Sequence, residues 1–259
     1  MQQQRRVIVT GASSGIGAAA VRMFRANGWA VLGVARRADR LAALAAETGC
    51  DVLVVDVTDG DSVAAMVEHL EQLGPVHALV NNAGGAFGQD SIESGDVDEW
   101  RRMYEVNVIG VKRVITAVLP LLRRAVAPRD SATIVNITSI AGHIAYEGGG
   151  GYNAAKFAAH ALTAVLRLEL AGEPIRVVEI APGMVKTDEF SLIRFAGDQA
   201  RADKVYENVP APLTAEDVAA EIVHACELAP HIDLDLVTIK PVAQAAPWKV
   251  MRGELTPRQ

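Results

Sequence analysis

The residues best suited to chemistry are Tyr152 and Lys156, four positions apart in Tyr152-Asn153-Ala154-Ala155-Lys156. Residues four apart on a helix project side by side, so the phenol and the ammonium would share one face. A tyrosine with its ordinary pKa near ~10 is a poor acid or base at neutral pH. A neighbouring ammonium favours the phenolate and draws that pKa toward the working range, which makes the pair a candidate for proton transfer. Tyr-x3-Lys alone also suits an ordinary surface pair. Two features argue against that blander reading: a serine thirteen residues upstream, Ser139, and a glycine-rich turn near the N-terminus.

The turn reads Thr10-Gly11-Ala12-Ser13-Ser14-Gly15-Ile16-Gly17, between an apolar strand and a helical run. Glycines bring the backbone close to a pyrophosphate, and the free N–H groups at a helix start favour its negative charge. Contacts are expected from Gly11, Ser13, Ser14, Gly15, Ile16 and Gly17; a plain strand-to-helix turn is the alternative. The next strand ends Gly33-Val34-Ala35-Arg36-Arg37. An acid at this strand end serves the ribose 2′-hydroxyl of NAD, whereas an arginine nearby serves the 2′-phosphate of NADP. Ala35 stands in the acid's place, and the planar guanidiniums of Arg36 and Arg37 can each grip a phosphate through two bonds, so the cofactor is read as NADP(H). Asp56 and Val57, ending the third strand, are placed to meet an adenine; a helix cap by Asp56 or Asp59 is equally open. Asn82, Ala83 and Gly84, within Asn81-Asn82-Ala83-Gly84-Gly85, suit a loop that lets a cofactor lie on bare backbone.

These residues need a frame to hold them. Apolar runs at 7–9, 30–34, 52–55, 78–80, 133–137, 176–180 and 234–239 alternate with helical patterns at 15–27, 41–47, 62–73, 97–124, after Tyr152, and at 215–228. Seven near-continuously apolar strands separated by helices predict a parallel sheet covered on both faces. Right-handed crossovers make that an α/β, Rossmann-like, doubly wound sheet in a single domain over 1–259. Open parallel sheets bind ligands at the carboxyl ends of their strands, where Ser139 follows the fifth strand and Pro182-Gly183 closes the sixth. Asn107 falls inside the 97–124 helix, where asparagine is disfavoured, and so marks a functional kink.

Composition narrows the function. A net charge of −6 on 259 residues speaks against nucleic acid or an anionic membrane as partner. No run approaches the ~18 apolar residues of a membrane span, and the apolar run after the first six residues is too short for a signal peptide. Cys50 and Cys226 lie far apart and suggest reduced thiols. The expectation is a soluble, cytoplasmic protein acting on a small molecule. His143, four residues past Ser139, either faces substrate or lies on a loop surface. The other histidines show no metal spacing, and no metal is expected.

Together, Thr10-Gly11-x3-Gly15-x-Gly17, Asn81-Asn82-Ala83-Gly84, Asn107, Ser139, Tyr152-x3-Lys156 and Pro182-Gly183 resemble the short-chain dehydrogenase/reductase family over about residues 5–240. The resemblance implies a nicotinamide-dependent oxidoreductase that interconverts an alcohol and a carbonyl. It makes Tyr152 the general acid/base, and Lys156 the group that lowers its pKa and holds the nicotinamide ribose. Ser139 would orient the substrate carbonyl, and Asn107 would hold a helix distortion and a water linking Lys156 to solvent. Pro182 and Gly183 would edge the cofactor site, with Val185 and Thr187 meeting the nicotinamide carboxamide. The helices at 97–124 and 152–170 would build a homotetramer through two-fold contacts.

A narrower likeness, in Thr187 to Asp198, Lys204 to Asn208 and Leu234 to Gln244, is to the NADP-dependent 3-hydroxy acid dehydrogenases, which include serine 3-dehydrogenase-type enzymes. It implies a small 3-hydroxy acid held under a lid at 187–212, followed by a tail at 241–259. Within the lid, Arg194 would take the acid's carboxylate; the alternative is a helix-surface arginine paired with Asp198 at i+4. Gly148 to Gly151 and Trp248 depart from that subgroup. The rival enzyme is a carbonyl reductase for bulkier neutral ketones. The rival of another class is a redox sensor that binds NADP(H) without turnover, and such proteins typically lose the tyrosine or the lysine.

Overall fold

The computed structural model describes residues 4–128 and 130–257; the outermost ends of the expected domain and tail lie outside them. The first half runs β1 (Arg6–Thr10), α1 (Gly15–Ala26), β2 (Ala30–Ala35), α2 (Ala38–Thr48), β3 (Asp51–Val54), α3 (Gly60–Leu73) and β4 (Ala78–Asn81). Then come α4 (Val97–Tyr104), a π-helical turn (Glu105–Ile109), α5 (Gly110–Ala125), β5 (Ala132–Ile137) and a 3-10 turn (Ile140–Gly142). The chain continues through α6 (Gly150–Glu169), β6 (Ile175–Pro182), α7 (Phe190–Arg194), α8 (Gln199–Tyr206), α9 (Ala215–Glu227) and β7 (Leu236–Ile239), and closes with β8 (Gln244–Ala246) and β9 (Lys249–Val250).

The seven-stranded sheet has the order β3-β2-β1-β4-β5-β6-β7, and its ladders are all parallel. Successive side chains on a strand point to opposite faces, and here both faces are apolar. Val7 and Val9 of β1 pack with Ala18 to Val21 of α1 and Val218 to Val223 of α9 on one side. Ile8 between them packs on the other side with Met66 and Leu70 of α3 and Val114 and Val118 of α5. This two-faced packing explains the near-continuous apolar runs. The edges differ from the expectation. β3 and β7 each have one open side, and their burial is only partial, with Val54 and Leu236 exposed. β1 is the switch point: from it the order runs to β2 and β3 on one side and to β4 through β7 on the other, leaving a crevice between the ends of β1 and β4 where such sheets bind ligands.

The 97–124 helix is broken where Asn107 lies. The Asn107 side-chain amide donates to Met103 O at 2.8 Å and to Gly85 O at 2.9 Å, and so takes up a carbonyl of the preceding turn. A side chain that inserts into the helical ladder widens it into a π-turn, the form seen at Glu105–Ile109. The glycine run before Tyr152 has a packing cause. A Cβ on Gly150 would meet the Trp100 ring at 2.8 Å, and one on Gly151 would meet Met103 at 2.5 Å. Small residues let the start of α6 press against α4, which sets the depth of Tyr152. Among the described residues, no helix is long and apolar enough to cross a membrane.

Candidate active site

A cleft of about 1530 Å³ opens along the carboxyl edge of the sheet. Pockets for drug-sized ligands run to roughly 1,000 Å³, so this one has room for a dinucleotide and a small substrate together. Its floor is built by the ends of β1 and β4. The Thr10 hydroxyl accepts from the Asn82 and Ala83 backbone N–H groups at 3.0 and 2.9 Å, and the Asn82 amide donates to Thr10 O at 2.9 Å. Gly11 turns there at φ +68°, in the left-handed region that favours glycine. Gly11, Ser13, Ser14, Gly15 and Ile16 line the cleft. Gly17 does not; a Cβ there would lie 2.3 Å from Gly11 O, so this glycine lets α1 seat beneath the turn. The first turn of α1 carries no acidic side chain and the Ser14 hydroxyl does not cap its N–H groups, so those groups and the positive dipole end are suited to an anion.

Arg36 and Arg37 both line the cleft, and Arg37 is already engaged. Its guanidinium donates to the Ser13 and Ser14 hydroxyls at 2.8 and 2.9 Å and to Glu189 Oε1 at 2.7 Å. Arg37 therefore holds the Glu189 carboxyl below its usual range. Asp56 and Val57 line the same end. Asp56 also accepts from the Thr58 N–H and hydroxyl at 2.9 and 2.7 Å, so it shapes its own turn, while Asp59 caps α3. Asn82, Ala83, Gly84, Pro182, Gly183, Val185 and Thr187 line it as well. The anion-ready helix start, the 2′-side guanidiniums and the bare backbone fit a nicotinamide dinucleotide phosphate.

The four chemical candidates converge from three elements. Ser139 follows β5, its Oγ accepting from the Ala141 N–H at 3.1 Å and reaching Pro182 O at 3.4 Å. Tyr152 and Lys156 come one turn apart on α6, with the Lys156 ammonium 5.8 Å from the Tyr152 ring centre and donating to Ile137 O at 3.0 Å. Asn107 lies behind them, outside the cleft lining. A Cβ on Gly84 would stand 2.6 Å from Asn107 Oδ1 and 3.6 Å from Lys156 Nζ, so a glycine is what allows those two groups to approach one point.

Burial governs the protonation of this group. Both Tyr152 and Lys156 are less than a tenth exposed. Burial pushes the Tyr152 phenol well above its ordinary range; the Ser139 hydroxyl and the Arg194 guanidinium pull in the opposite direction. Burial likewise lowers Lys156 to about 8, with the Glu179 carboxylate acting against it. The protein alone thus holds a neutral phenol beside a weakened ammonium, rather than the lysine-activated tyrosinate that the spacing suggested.

Arg194 lies in the lid and lines the cleft. It does not pair with Asp198, which caps α8 instead. Its Nε donates to Gly88 O and its Nη1 to the Tyr146 hydroxyl, each at 3.1 Å, and the guanidinium sits 5.7 Å from the Tyr152 ring centre. Nη2 is buried without a partner among the described residues. His143 is the reverse case, for it does not line the cleft. Its Nε2 contacts Glu179 Oε1 at 2.9 Å, behind the strand ends. Burial alone would raise the Glu179 carboxyl, but bonds from Thr138, His160 and His143 leave it below the ordinary range.

Sequence reasoning missed Tyr146, Phe190, Tyr206, Gln244 and Trp248, all of which line the cleft. Tyr206 donates to Val185 O at 2.9 Å and contacts Ser191 Oγ at 3.0 Å, tying α8 and α7 to the end of β6. The tail is an antiparallel hairpin, β8 with β9, whose Gln244 accepts from the Met184 N–H at 2.8 Å. Gly253 N–H donates to Asn208 O at 2.7 Å, joining tail to lid. The polar-aromatic composition after β6 was the signal available; none pointed to the tail.

A Rossmann-like sheet with this cleft defines a dinucleotide-dependent oxidoreductase, and the chain belongs to the short chain dehydrogenases, whose family model matches residues 5–194. It is 48% identical over 244 residues to an uncharacterized oxidoreductase of Mycobacterium tuberculosis, covering 94% of each chain. It is 39% identical to a sulfoacetaldehyde reductase of Chromohalobacter salexigens, covering 92% of this chain and 94% of that one. Among solved structures it is similar to the closed form of a serine dehydrogenase complexed with NADP+, with a TM-score of 0.87, 34% identity, and coverage of 98% of this chain and 100% of that one.

Proposed function

We propose that this protein is an NADP(H)-dependent dehydrogenase that interconverts a small 3-hydroxy acid and its 3-oxo partner. The observation that carries the substrate reading is Arg194: a cation in the cleft wall, against Tyr152, with one buried N–H group unpartnered among the described residues. A buried donor without a partner is costly, and a guanidinium is matched by a planar or tetrahedral oxyanion. The carboxylate of a 3-hydroxy acid supplies one. So does a sulfonate, the anionic group of the substrate named for the Chromohalobacter relative. A bulkier neutral ketone would leave the donor unsatisfied, and the retained Tyr152 and Lys156 disfavour a sensor without turnover.

The cofactor is NADP(H): α1 receives the pyrophosphate, Arg36 and Arg37 the 2′-phosphate, and the loop from Asn82 to Gly84 the bare face of the nucleotide. A nicotinamide held by these residues would supply or accept the hydride. Ser139 donates to the substrate oxygen and fixes it beside the phenol. Tyr152, kept protonated by burial, donates its proton to the carbonyl oxygen in reduction and recovers it in oxidation. The Lys156 ammonium stabilises the charge left on the phenolate and anchors the cofactor ribose. Asn107 holds the π-turn that lets the loop at Gly84 reach Lys156. The segment 187–212 closes the site against water. The working form is a homotetramer assembled through α4–α5 and α6, whose outer faces present Tyr104, Phe157, Val165 and Leu168 to solvent.

The substrate reading is tested with Arg194→Ala. KM for 3-hydroxypropionate or serine should rise roughly 30-fold or more, as for truncation of one partner of a buried charge pair, while KM for a neutral alcohol of similar size changes little. Wild-type enzyme that ignores every short 3-hydroxy acid yet reduces bulky neutral ketones would overturn it.

A further inference from the structure

Behind the ends of β5 and β6, away from the cleft, three side chains far apart in sequence meet. Glu179 of β6 is 1% exposed, and no other Asp or Glu among the described residues is in the buried set. Its two carboxylate oxygens face two imidazoles: Oε1 is 2.9 Å from His143 Nε2, and Oε2 is 2.7 Å from His160 Nδ1 on α6. Thr138 donates to Oε1 at 2.6 Å. The two rings rest edge to face, their centres 4.3 Å apart. Among the described residues, no lysine or arginine is in ion-pair contact with this carboxylate.

A buried carboxylate calls for a positive charge against it, and among the described residues no lysine or arginine is in ion-pair contact with Glu179 to supply one. Two imidazole nitrogens and a carboxylate oxygen are, however, a ligand set that zinc accepts, with a further position left for water. The spacing fits as well. Zinc at bond lengths near 2.1 Å holds tetrahedral ligand atoms about 3.4 Å apart. Here one nitrogen or oxygen from each residue lies within 4.8 Å of the others, and the present contacts of 2.7 and 2.9 Å lie on the near side of that value. Both imidazoles are partly exposed, with side-chain exposures of 23% and 38%, so an ion can enter from solvent without crossing the core. Thr138 already holds the carboxylate in place, as an outer partner of a metal ligand does.

The geometry points to a divalent transition-metal site formed by His143, His160 and Glu179, one that takes zinc or an ion of similar preference. Thr138, which bonds the Glu179 carboxylate, lies in the chain between Ser139 and Ile137, whose carbonyl receives Lys156. The site is separate from the cleft, since none of its three ligands lines it.

The test is calorimetric titration of the full chain, first stripped with a chelator, with zinc chloride, together with the visible spectrum of the same protein loaded with cobalt(II). The site predicts one tight ion per chain and an intense tetrahedral cobalt band. The partly exposed His160→Gln, and separately His143→Gln, should weaken binding at least tenfold and remove the band. Circular dichroism of the free variants checks that each remains folded. Glu179→Gln should do the same; because Glu179 is buried, His160→Gln decides the matter if Glu179→Gln does not fold. Two results overturn the site: no stoichiometric zinc binding to wild type, or binding unchanged in the His143→Gln/His160→Gln double variant, which would place the ion on His69, His77, His224 or His231.

Discussion

Lys156→Met separates what the lysine does for the fold from what it does for the reaction. The ammonium is buried, and burial brings it from its ordinary 10.5 to about 8. At about 1.4 kcal/mol per pH unit, that gap means the folded state is about 3 kcal/mol less stable at pH 7 than it would be without the buried charge. The sign follows from proton counts. Between pH 8 and 10.5 the unfolded chain binds the proton and the folded protein releases it, so stability rises with pH through that window. Below pH 8 both states are protonated and the full penalty stands. Methionine fills similar space without charge but forfeits the bond to Ile137 O, worth about 1 kcal/mol. The variant, without cofactor, should be more stable than wild type by about 2 kcal/mol at pH 7, a Tm gain of roughly 4–8 °C for a chain of this size. Urea unfolding of both proteins at pH 7, 8, 9 and 10 measures it. The variant's advantage should shrink steadily from pH 8 to 10, while its turnover and NADPH affinity fall at every pH. A stability difference that stays flat across that range refutes the reasoning, and so does a variant that keeps near-wild-type turnover.

Tyr152→Phe removes only the hydroxyl, so NADPH affinity should survive while turnover drops roughly 10²–10⁴-fold, measured by NADPH oxidation. Fluorescence titration should find NADPH bound more tightly than NADH, and Ala35→Asp with Arg36→Ala should shift the preference toward NADH by adding a 2′-hydroxyl acceptor and removing a phosphate partner. Equal affinities in wild type would contradict the assignment of Arg36 and Arg37. Light scattering at micromolar concentration should return four times the 27.5 kDa chain mass, and a monomer mass would contradict the interface along α5 and α6.

Much of this protein can be read from periodicity and a few fixed spacings, because those depend on neighbours along the chain. The apolar runs of β1, β2, β4, β5 and β6 had to become strands covered on both faces, whereas the open sides of β3 and β7 at the sheet edges could not be told from their own residues. Tyr152 and Lys156 had to share a helical face, and the glycine turn after β1 had to open a helix. Asn107 marked its own distortion, because an asparagine amid helix formers finds its bonds in the backbone of the preceding turn. What the chain order cannot convey is which distant groups meet in the folded interior. Arg194 could have paired with Asp198 four residues on, yet it turns inward to Gly88 and Tyr146, because the lid folds back across the loop after β4. Arg37, legible as a phosphate ligand, is bound to Glu189 from 152 residues away. The spacing placed Lys156 next to Tyr152 but not the burial of both, and burial is what sets their protonation. His143, His160 and Glu179 show no metal spacing, for they come from a loop, a helix and a strand that only the packing of α6 against β6 brings together. Local pattern determines elements and faces; the burial and charge around a side chain are sums over neighbours that exist only once the sheet is assembled.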